Sequence, residues 1–257
     1  MVNRAGLGAA ALAGALAVHA GPALSAILPL RRRFLPGLAG VGRPGHVALT
    51  LDDGPDRDST PWFLRTLADT RVRATFFLLG VMVDRDPGLG REIVAAGHEV
   101  AVHGWRHRNL LRCPPRVTYA DIGRARDRIA AATGTTPRWY RPPYGVLTTA
   151  AVLACRRLEL TPVLWTAWGR DWVSGAEPEW IQRNLTRTLA DGGTVLLHDS
   201  DCASSPRAWQ GALGTLPLLV RWAGRRGITL GPLAEHGLGT PRGDDPDGWR
   251  GPTRNNR

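Results

Sequence analysis

Segments typical of strands and of helices alternate along residues 46–236, and this alternation restricts the fold more than any other feature of the chain. Runs of apolar and β-branched residues predict seven strands, at 46–51, 73–79, 98–102, 137–141, 161–167, 194–198 and 228–231. Between them lie six helix-like segments, most of which end near a glycine, at 58–69 (with a candidate cap at Ser59), 86–96, 119–133, 148–158, 177–190 and 211–226. This order predicts an α/β protein with a mainly parallel sheet or barrel.

The 257 residues suffice for one large domain or two small ones, and we predict a single domain at 44–236. Residues 5–30 carry no charge and precede three arginines, so residues 1–43 are expected to be a signal peptide or N-terminal membrane anchor with a basic linker. The tail at 237–257 is rich in glycine, proline and charge, and it is expected to be disordered.

The net charge of +11 comes largely from the ends of the chain, because residues 46–236 contain 24 Arg against 19 acidic residues. We therefore predict no nucleic-acid partner, and an anionic envelope or cell-wall surface is the favoured partner of the basic ends. The chain has no Lys, which excludes a lysine Schiff base, a P-loop lysine and a Ser–Lys dyad. Three scattered Cys are too few for a disulfide framework.

Ionisable and aromatic side chains collect directly after five of the seven predicted strands. They lie in the segments 52–53, 103–107, 141–145, 168–172 and 196–199. In β/α barrels the carboxyl ends of the strands share one face, where catalytic groups collect. The five segments are therefore expected to border one cleft.

Two adjacent carboxylates, Asp52 and Asp53, follow the first strand and precede Gly54-Pro55. They could form a simple polar turn, or one could bind a metal while its neighbour handles a proton, since successive side chains at a strand end point to different sides. His103 and His107 are spaced to share a helical face, although such a pair can also be a surface accident. Two imidazoles and one carboxylate are typical of an open zinc site, so a divalent metal is expected, with Zn²⁺ as the first candidate.

The remaining groups of the predicted cleft suit proton transfer and sugar binding. The second aspartate can act as a base, and His198 is the remaining imidazole that could protonate a leaving group, with Asp171 placed to hold it. Arg141 could keep a catalytic carboxylate ionised, or it could be an exposed arginine before Pro-Pro. Trp105 and Trp172 could flank a sugar ring or pack in the core.

Competing chemistries find less support in the sequence. The chain has no Gly-x-Ser-x-Gly elbow, and no Gly-x-Gly-x-x-Gly follows the first strand. A glycosidase with paired carboxylates would leave the three histidines without a role.

Five motifs, TLDDGP, HGWRH, RPPYG, RDW and LLHD, occur in an order and spacing that resemble the NodB-homology polysaccharide deacetylases, carbohydrate esterase family 4. The resemblance covers about residues 44–235. It implies a distorted (β/α)₇ barrel and metal-dependent removal of acetyl groups from the amino sugars of a peptidoglycan-like or chitin-like glycan. A monomer is expected.

The resemblance also assigns roles to individual residues. It implies a catalytic base at Asp52, metal ligands at Asp53, His103 and His107, a base-orienting residue at Arg141, an oxyanion-stabilising turn around Tyr144, a general acid at His198 with its partner Asp171, and a groove wall at Trp172.

The chain departs from the family pattern at three points, one of which is the stretch 168–172, which keeps Asp-Trp but lacks an additional upstream acid often seen in the family. Gly104 stands where the family usually has Ser or Thr, so a hydroxyl that could support the metal ligands is missing. Leu51 replaces a usual Phe, a change in packing that should be benign. A catalytically silent glycan-binding module with the same fold is the alternative, against which the intact Asp52 and His198 argue.

The substrate class favours a protein that is secreted or membrane-anchored and faces the cell envelope. The arginines at 31–33 point the other way, because the positive-inside tendency would keep them in the cytoplasm if the preceding segment stayed in the membrane. A cytoplasmic location therefore stays open from the sequence.

Overall fold

The computed structural model describes residues 4–239, so residues 240–257 of the predicted disordered tail lie outside the described part. Its helices are α1 (Arg4–Ala20), α2 (Leu28–Phe34), α3 (Pro36–Ala39), α4 (Thr60–Thr70), α5 (Gly80–Arg85), α6 (Pro87–Ala95), α7 (Pro115–Thr133), α8 (Thr149–Arg157), α9 (Pro178–Thr188) and α10 (Trp209–Gly224). Its strands are β1 (His46–Asp52), β2 (Thr75–Leu78), β3 (Glu99–Val102), β4 (Trp139–Tyr140), β5 (Thr161–Pro162), β6 (Ala167–Trp168), β7 (Thr194–His198) and β8 (Thr229–Gly231). Every predicted helix is present, and the short helices α2, α3 and α5 were not predicted.

All strand pairs are parallel, and the sheet has the order β5-β4-β3-β2-β1-β7-β6, with β8 paired to β1. The two edge strands, β5 and β6, are consecutive in the chain and are separated by residues 163–166 alone. Four residues span only about 13 Å, so the sheet must curl until its edges approach each other. The predicted distorted β/α barrel is confirmed as a curled half-barrel within a single domain.

The sequence predicted one strand at 161–167, and the structure divides this run into β5 and β6 on opposite edges of the sheet. The residues between them, 163–166, are here named the bridge segment. Its first amide, of Val163, donates to the Tyr140 carbonyl at one edge, and its last, of Thr166, donates to the Thr194 carbonyl at the other. The bridge segment thus closes the gap that strand pairing leaves open.

Every residue of β1 is buried, and its side chains alternate between the two faces of the sheet. Val47, Leu49 and Leu51 belong to the large core between the sheet and the helices. Ala48 belongs to a second, smaller cluster with residues of β2, β3, β4 and the bridge segment, which fills the concave side of the sheet. Since successive side chains alternate, Thr50 and Asp52 follow Ala48 on the concave side.

The segment before β1 packs on this domain. Arg31 and Ala39 are buried, the Leu38 carbonyl accepts from the Leu164 amide, and the Gly40 carbonyl accepts from the Thr194 hydroxyl. Within residues 4–239, no single helix has the length and apolar character needed to cross a membrane. Ala10–Ala26 and Leu28–Phe34 meet those criteria only as a pair, bent by 91°.

Candidate metal centre and active site

The register of the strands brings the predicted site residues to one end of the sheet. Asp52, the last residue of β1, is the register partner of His198, the last residue of β7. His103 and Arg141 each follow the last residue of a strand, and those two residues, Val102 and Tyr140, are partners as well. Four of the predicted residues therefore lie at the carboxyl-terminal end of the sheet, because their strands are parallel and the ends of these strands are in register.

Asp53, His103 and His107 lie within reach of a single ion. The Oδ1 atom of Asp53 is 3.4 Å from Nε2 of His103 and 3.6 Å from Nε2 of His107. One ligand atom from each residue lies within 4.8 Å of the others. Both oxygens of the buried Asp53 carboxylate lack a hydrogen-bond donor among the described residues, which is costly without a partner. This donor set fits a divalent metal.

The protonation of the two histidines also suits metal binding. Burial, followed by the charge of Arg141, lowers the pKa of His103 to about 3, and burial also lowers that of His107 to about 3. Both imidazoles are therefore neutral near pH 7. Nδ1 of His103 lies 2.8 Å from the Arg141 carbonyl, so it is assigned as the donor, which leaves Nε2 with a lone pair toward Asp53.

The turn after β1 aims Asp53 away from the direction that strand alternation would give it. Asp53 has φ 83°, a left-handed conformation that costs a non-glycine residue of order 1–3 kcal/mol. Asp199 holds the turn, since its carboxylate accepts from the Gly54 amide at 3.2 Å and from the Thr60 hydroxyl at 2.5 Å. Ser59, the predicted cap of α4, donates to the Asp199 carbonyl instead.

Arg141 is fully buried and binds the carboxylate of Asp52 at 2.7 Å. The alternative of an exposed arginine before Pro-Pro is therefore wrong. Its guanidinium also donates to the Thr50 hydroxyl and to the Val163 and Leu164 carbonyls. Burial raises the pKa of Asp52, and the charge and hydrogen bond of Arg141 oppose that rise. Arg141 thus stabilises the ionised form of Asp52.

His198 is held by Asp171 on the opposite side of the site. Nδ1 of His198 lies 3.1 Å from both carboxylate oxygens of Asp171, and the His198 amide donates to the same carboxylate at 2.8 Å. Burial lowers the pKa of His198, but the charge and hydrogen bond of Asp171, with help from Asp53, raise it to about 10. His198 is therefore protonated near neutral pH.

A cavity of about 270 Å³ is lined by Asp52, Asp53, His103, His107 and His198. Tyr144 lies at its rim with φ 59°, and its ring meets that of His107 edge-on with centroids 4.4 Å apart. Trp172 lines another wall, with its ring 6.0 Å from that of His198. Tyr144 and Trp172 thus occupy the cleft in which they were predicted.

Trp105 lies elsewhere. It is 7% exposed, belongs to the core, and packs so closely on Gly80 that a Cβ there would meet its ring at 2.5 Å. The guanidinium of Arg124 covers its ring at 3.5 Å. Trp105 is not among the cavity-lining residues, and this placement supports the core-packing alternative over the predicted contact with substrate.

Several residues of the site carried no assignment from the sequence. Trp165, Trp168 and Leu196 line the cavity, and Asp199 holds the Asp53 turn. The three tryptophans at 165, 168 and 172 form a chain of ring contacts at 6.1 Å and 4.8 Å. Their clustering within eight residues, next to a strand end, was the available signal for an aromatic wall.

Comparisons with known proteins identify relatives of this chain. A family model described as polysaccharide deacetylase matches residues 39–163. A chitooligosaccharide deacetylase of Bradyrhizobium sp. (strain ANU 289) is 35% identical over 196 residues, which are 74% of this chain and 89% of that protein.

Two solved structures share the fold. A peptidoglycan N-acetylglucosamine deacetylase superposes with a TM-score of 0.71 at 26% identity, over 79% of this chain and 93% of that one. A pseudoenzyme of the CE4 family from Bacillus anthracis superposes with a TM-score of 0.68 at 25% identity, over 76% of this chain and 66% of that one.

Proposed function

Because the chain belongs to the polysaccharide deacetylase family, we propose that it is a metal-dependent hydrolase that removes N-acetyl groups from an amino-sugar polymer of the chitin or peptidoglycan type. One observation carries the proposal beyond family membership. Asp52, a carboxylate paired with a buried arginine, and His198, an imidazole paired with a buried carboxylate, are register partners on β1 and β7 beside the cluster of Asp53, His103 and His107.

A metal held at this site would supply the electrophile of the proposed reaction. A divalent ion, in the first place Zn²⁺, held by Asp53, His103 and His107, would polarise the acetyl carbonyl and acidify a water molecule. The histidines fit this role because burial keeps them neutral, and Asp53 fits it because no described donor binds its carboxylate oxygens.

The protein's own groups move the protons. Asp52, whose ionised form Arg141 stabilises, accepts the proton of the water that attacks the acetyl carbon. His198, which Asp171 keeps protonated, donates to the nitrogen of the sugar as the C–N bond breaks, so that acetate and a free amine result. The backbone N–H at the Tyr144 turn is proposed to stabilise the negative charge that develops on the carbonyl oxygen.

The aromatic wall gives the proposal its substrate class. The rings of Trp165, Trp168 and Trp172 follow one another along the cavity, and 38% of Trp168 is exposed. Flat apolar faces of this kind suit the faces of sugar rings. The proposed ligand is therefore an N-acetylated glycan, with the acetylated residue placed between this wall and the metal ligands.

The Bacillus anthracis neighbour is a pseudoenzyme, so the fold alone does not establish turnover. A catalytically silent glycan-binding module is for that reason the second candidate. The complete set of Asp52, Arg141, Asp171 and His198, each with its partner in place, favours the enzyme, because a binding module has no need of a poised base and acid.

Acetate release from acetylated chitooligosaccharides and from peptidoglycan tests the proposal. The purified full chain should release acetate with Zn²⁺ present, lose this activity with a chelator, and regain it when Zn²⁺ is restored. Glycan binding without acetate release on every acetylated polymer tested would favour the silent module. Activity that is indifferent to chelation would contradict the metal assignment.

We also propose that the protein acts in the cell envelope, since such polymers lie there, and that it is a monomer. Apolar side chains on the N-terminal segment support a membrane contact, with Leu12, Leu16, Leu24 and Phe34 each more than half exposed. Fractionation of cells that produce the full chain tests this, with recovery in the membrane or the medium expected and recovery in the cytosol contradicting it.

A further inference from the structure

Arg31 is a buried cation in the segment that the sequence assigned to a basic linker. It is 2% exposed, and its guanidinium donates to the Ser25 carbonyl at 2.7 Å and to the Trp165 carbonyl at 2.5 Å. Within residues 4–239 no carboxylate pairs with it, and its Nε atom has no hydrogen-bond partner. Burying a charge this way costs free energy, so its position calls for a reason other than simple stability.

The contacts of Arg31 continue those of Arg141. The bridge segment presents three successive carbonyls to buried guanidinium groups. Arg141 binds the first two, of Val163 and Leu164, and Arg31 binds the third, of Trp165. Two arginines from distant parts of the chain therefore hold the four residues that close the half-barrel, and one of them is the partner of Asp52.

Trp165 connects this arrangement with the substrate cavity. Its ring lines the cavity, and the guanidinium groups of Arg31 and Arg141 each lie 5.7 Å from the ring centroid. A Cβ on Gly145, next to the Tyr144 turn, would meet the same ring at 2.7 Å. A shift of Trp165 would therefore disturb both the residue that orients the base and the turn proposed to stabilise the oxyanion.

A second contact ties the same N-terminal segment to the bridge. The Leu38 carbonyl accepts from the Leu164 amide. The bridge segment is thus bound from outside by the N-terminal segment, through Arg31 and Leu38, and from inside by Arg141. The nearby Arg33 makes no comparable contact, because it is exposed and its guanidinium lies over the ring of Phe34.

We propose that Arg31 is a positioning residue of the active site. By binding the Trp165 carbonyl it fixes the bridge segment, and through the bridge it fixes the position of Arg141 against Asp52. The N-terminal segment from Ser25 to Gly40 is accordingly part of the catalytic unit and not a linker. This inference rests on the proposed deacetylase function.

The test compares Arg31→Met and Arg31→Lys with Arg33→Met as the matched control, all in the full chain. The readouts are kcat, KM, the pH profile of kcat/KM, zinc content and the melting temperature. Arg31→Met should bind zinc as the wild type does and lose about tenfold or more in kcat, because small displacements of catalytic groups are costly. Its acidic limb should move to higher pH, since Arg141 would hold the ionised Asp52 less well.

Arg31→Lys, which keeps a donor for the Trp165 carbonyl, should recover part of both effects, and Arg33→Met should behave as the wild type. A lower melting temperature with unchanged kcat and pH profile would show a purely structural role and overturn the inference. If Arg31→Met does not fold, Arg31→Lys and Arg31→Gln decide by the same criteria. An inactive wild type would overturn the proposed function as well, whereas an active wild type with Arg31→Met equal to Arg33→Met would overturn only the role of Arg31.

Discussion

Asp52 and Asp53 are neighbours in the sequence, yet the structure gives them different environments. Asp52 continues the inward side of β1 and pairs with Arg141, whereas the left-handed backbone of Asp53 turns its carboxylate toward two neutral imidazoles. Burial raises the pKa of Asp53 to about 7, reinforced by the charges of Asp52 and Asp171 and opposed by that of His198. A bound cation would offset the cost of burying the Asp53 charge. The carboxylate of Asp53 therefore suits a metal, and that of Asp52 suits proton transfer.

The pair of Asp171 and His198 gives a prediction about pH dependence. The proposed general acid must be protonated, so activity should be lost as the pH rises through the pKa of His198, which Asp171 helps to hold near 10. Asp171→Asn removes that charge and should move the alkaline limb of kcat/KM to lower pH by about one unit or more. A pH profile of the variant checks this, and an unmoved alkaline limb would rule out His198 as the acid.

Gly104 gives a prediction about stability. Its φ of 104° is unfavourable for other residues, and a Cβ there would lie 2.9 Å from a carboxylate oxygen of Asp121. Gly104→Ser, which introduces the hydroxyl usual in the family, should therefore destabilise the protein by about 1–2 kcal/mol. Gly224→Ser, at a position with open space, serves as the control and should change the free energy of unfolding by less than about 0.5 kcal/mol.

Denaturant unfolding measures both variants. If Gly104→Ser proves as stable as the wild type and binds zinc more tightly, the missing hydroxyl, and not the backbone conformation, decides what this position does.

At the level of elements, the sequence predicted the strands and helices that a local pattern of residues specifies. The fully buried β1, which ends at one carboxylate and is followed by a second, and the helices that end near glycines follow from periodicity and turn chemistry. The run at 161–167 contains no charged residue and no glycine, so periodicity could not show that it leaves one sheet edge and joins the other. The role of Arg31 depends on a contact with a residue 134 positions away, which a local basic run does not reveal.

The start of β1 offers a test at this scale. Nδ1 of His46 lies 2.9 Å from Nδ1 of His236, which ties β1 to the end of the domain. Burial lowers the pKa of His46 to about 4 and also lowers that of His236. As the pH falls, the two histidines are protonated in the unfolded chain before they are protonated in the folded protein. The contribution of the neutral pair to the free energy of unfolding is therefore complete above about pH 6.5 and is lost as the pH falls toward 4.

Urea unfolding between pH 7 and pH 5 measures that loss. The wild type should lose stability over this range, and His46→Asn should lose less, even if it is less stable at pH 7. Equal slopes for the two proteins would contradict the assignment of the buried pair.

At the level of the whole molecule, the parallel register and the metal ligands act together. Asp53 lies in a turn after β1, and His103 and His107 follow β3, so one ion would connect two parts of the sheet. The motifs allowed this site to be predicted from sequence because they sit at strand ends. Trp105 could not be placed in the same way, since an aromatic residue beside two ligands suits either the groove or the core, and here it lies in the core.

Metal binding should therefore raise the stability of the entire domain. Zinc at about 100 times its Kd should add about 2.7 kcal/mol to the free energy of unfolding, because binding favours the folded state. Melting curves of the chelated and the zinc-loaded protein measure the change, with His107→Ala as the control in which the zinc effect should be lost or much reduced. An equal response of His107→Ala and the wild type would place the ion elsewhere.

The central claim is that Asp52 transfers a proton while Asp53 binds the metal with the two histidines. It is tested by measuring zinc content and acetate release together on Asp52→Asn and His103→Ala. We predict that Asp52→Asn keeps one zinc per chain and loses acetate release by about a hundredfold or more, while His103→Ala loses both the zinc and the activity. An active Asp52→Asn, or a His103→Ala that still holds its zinc, would contradict the arrangement proposed here.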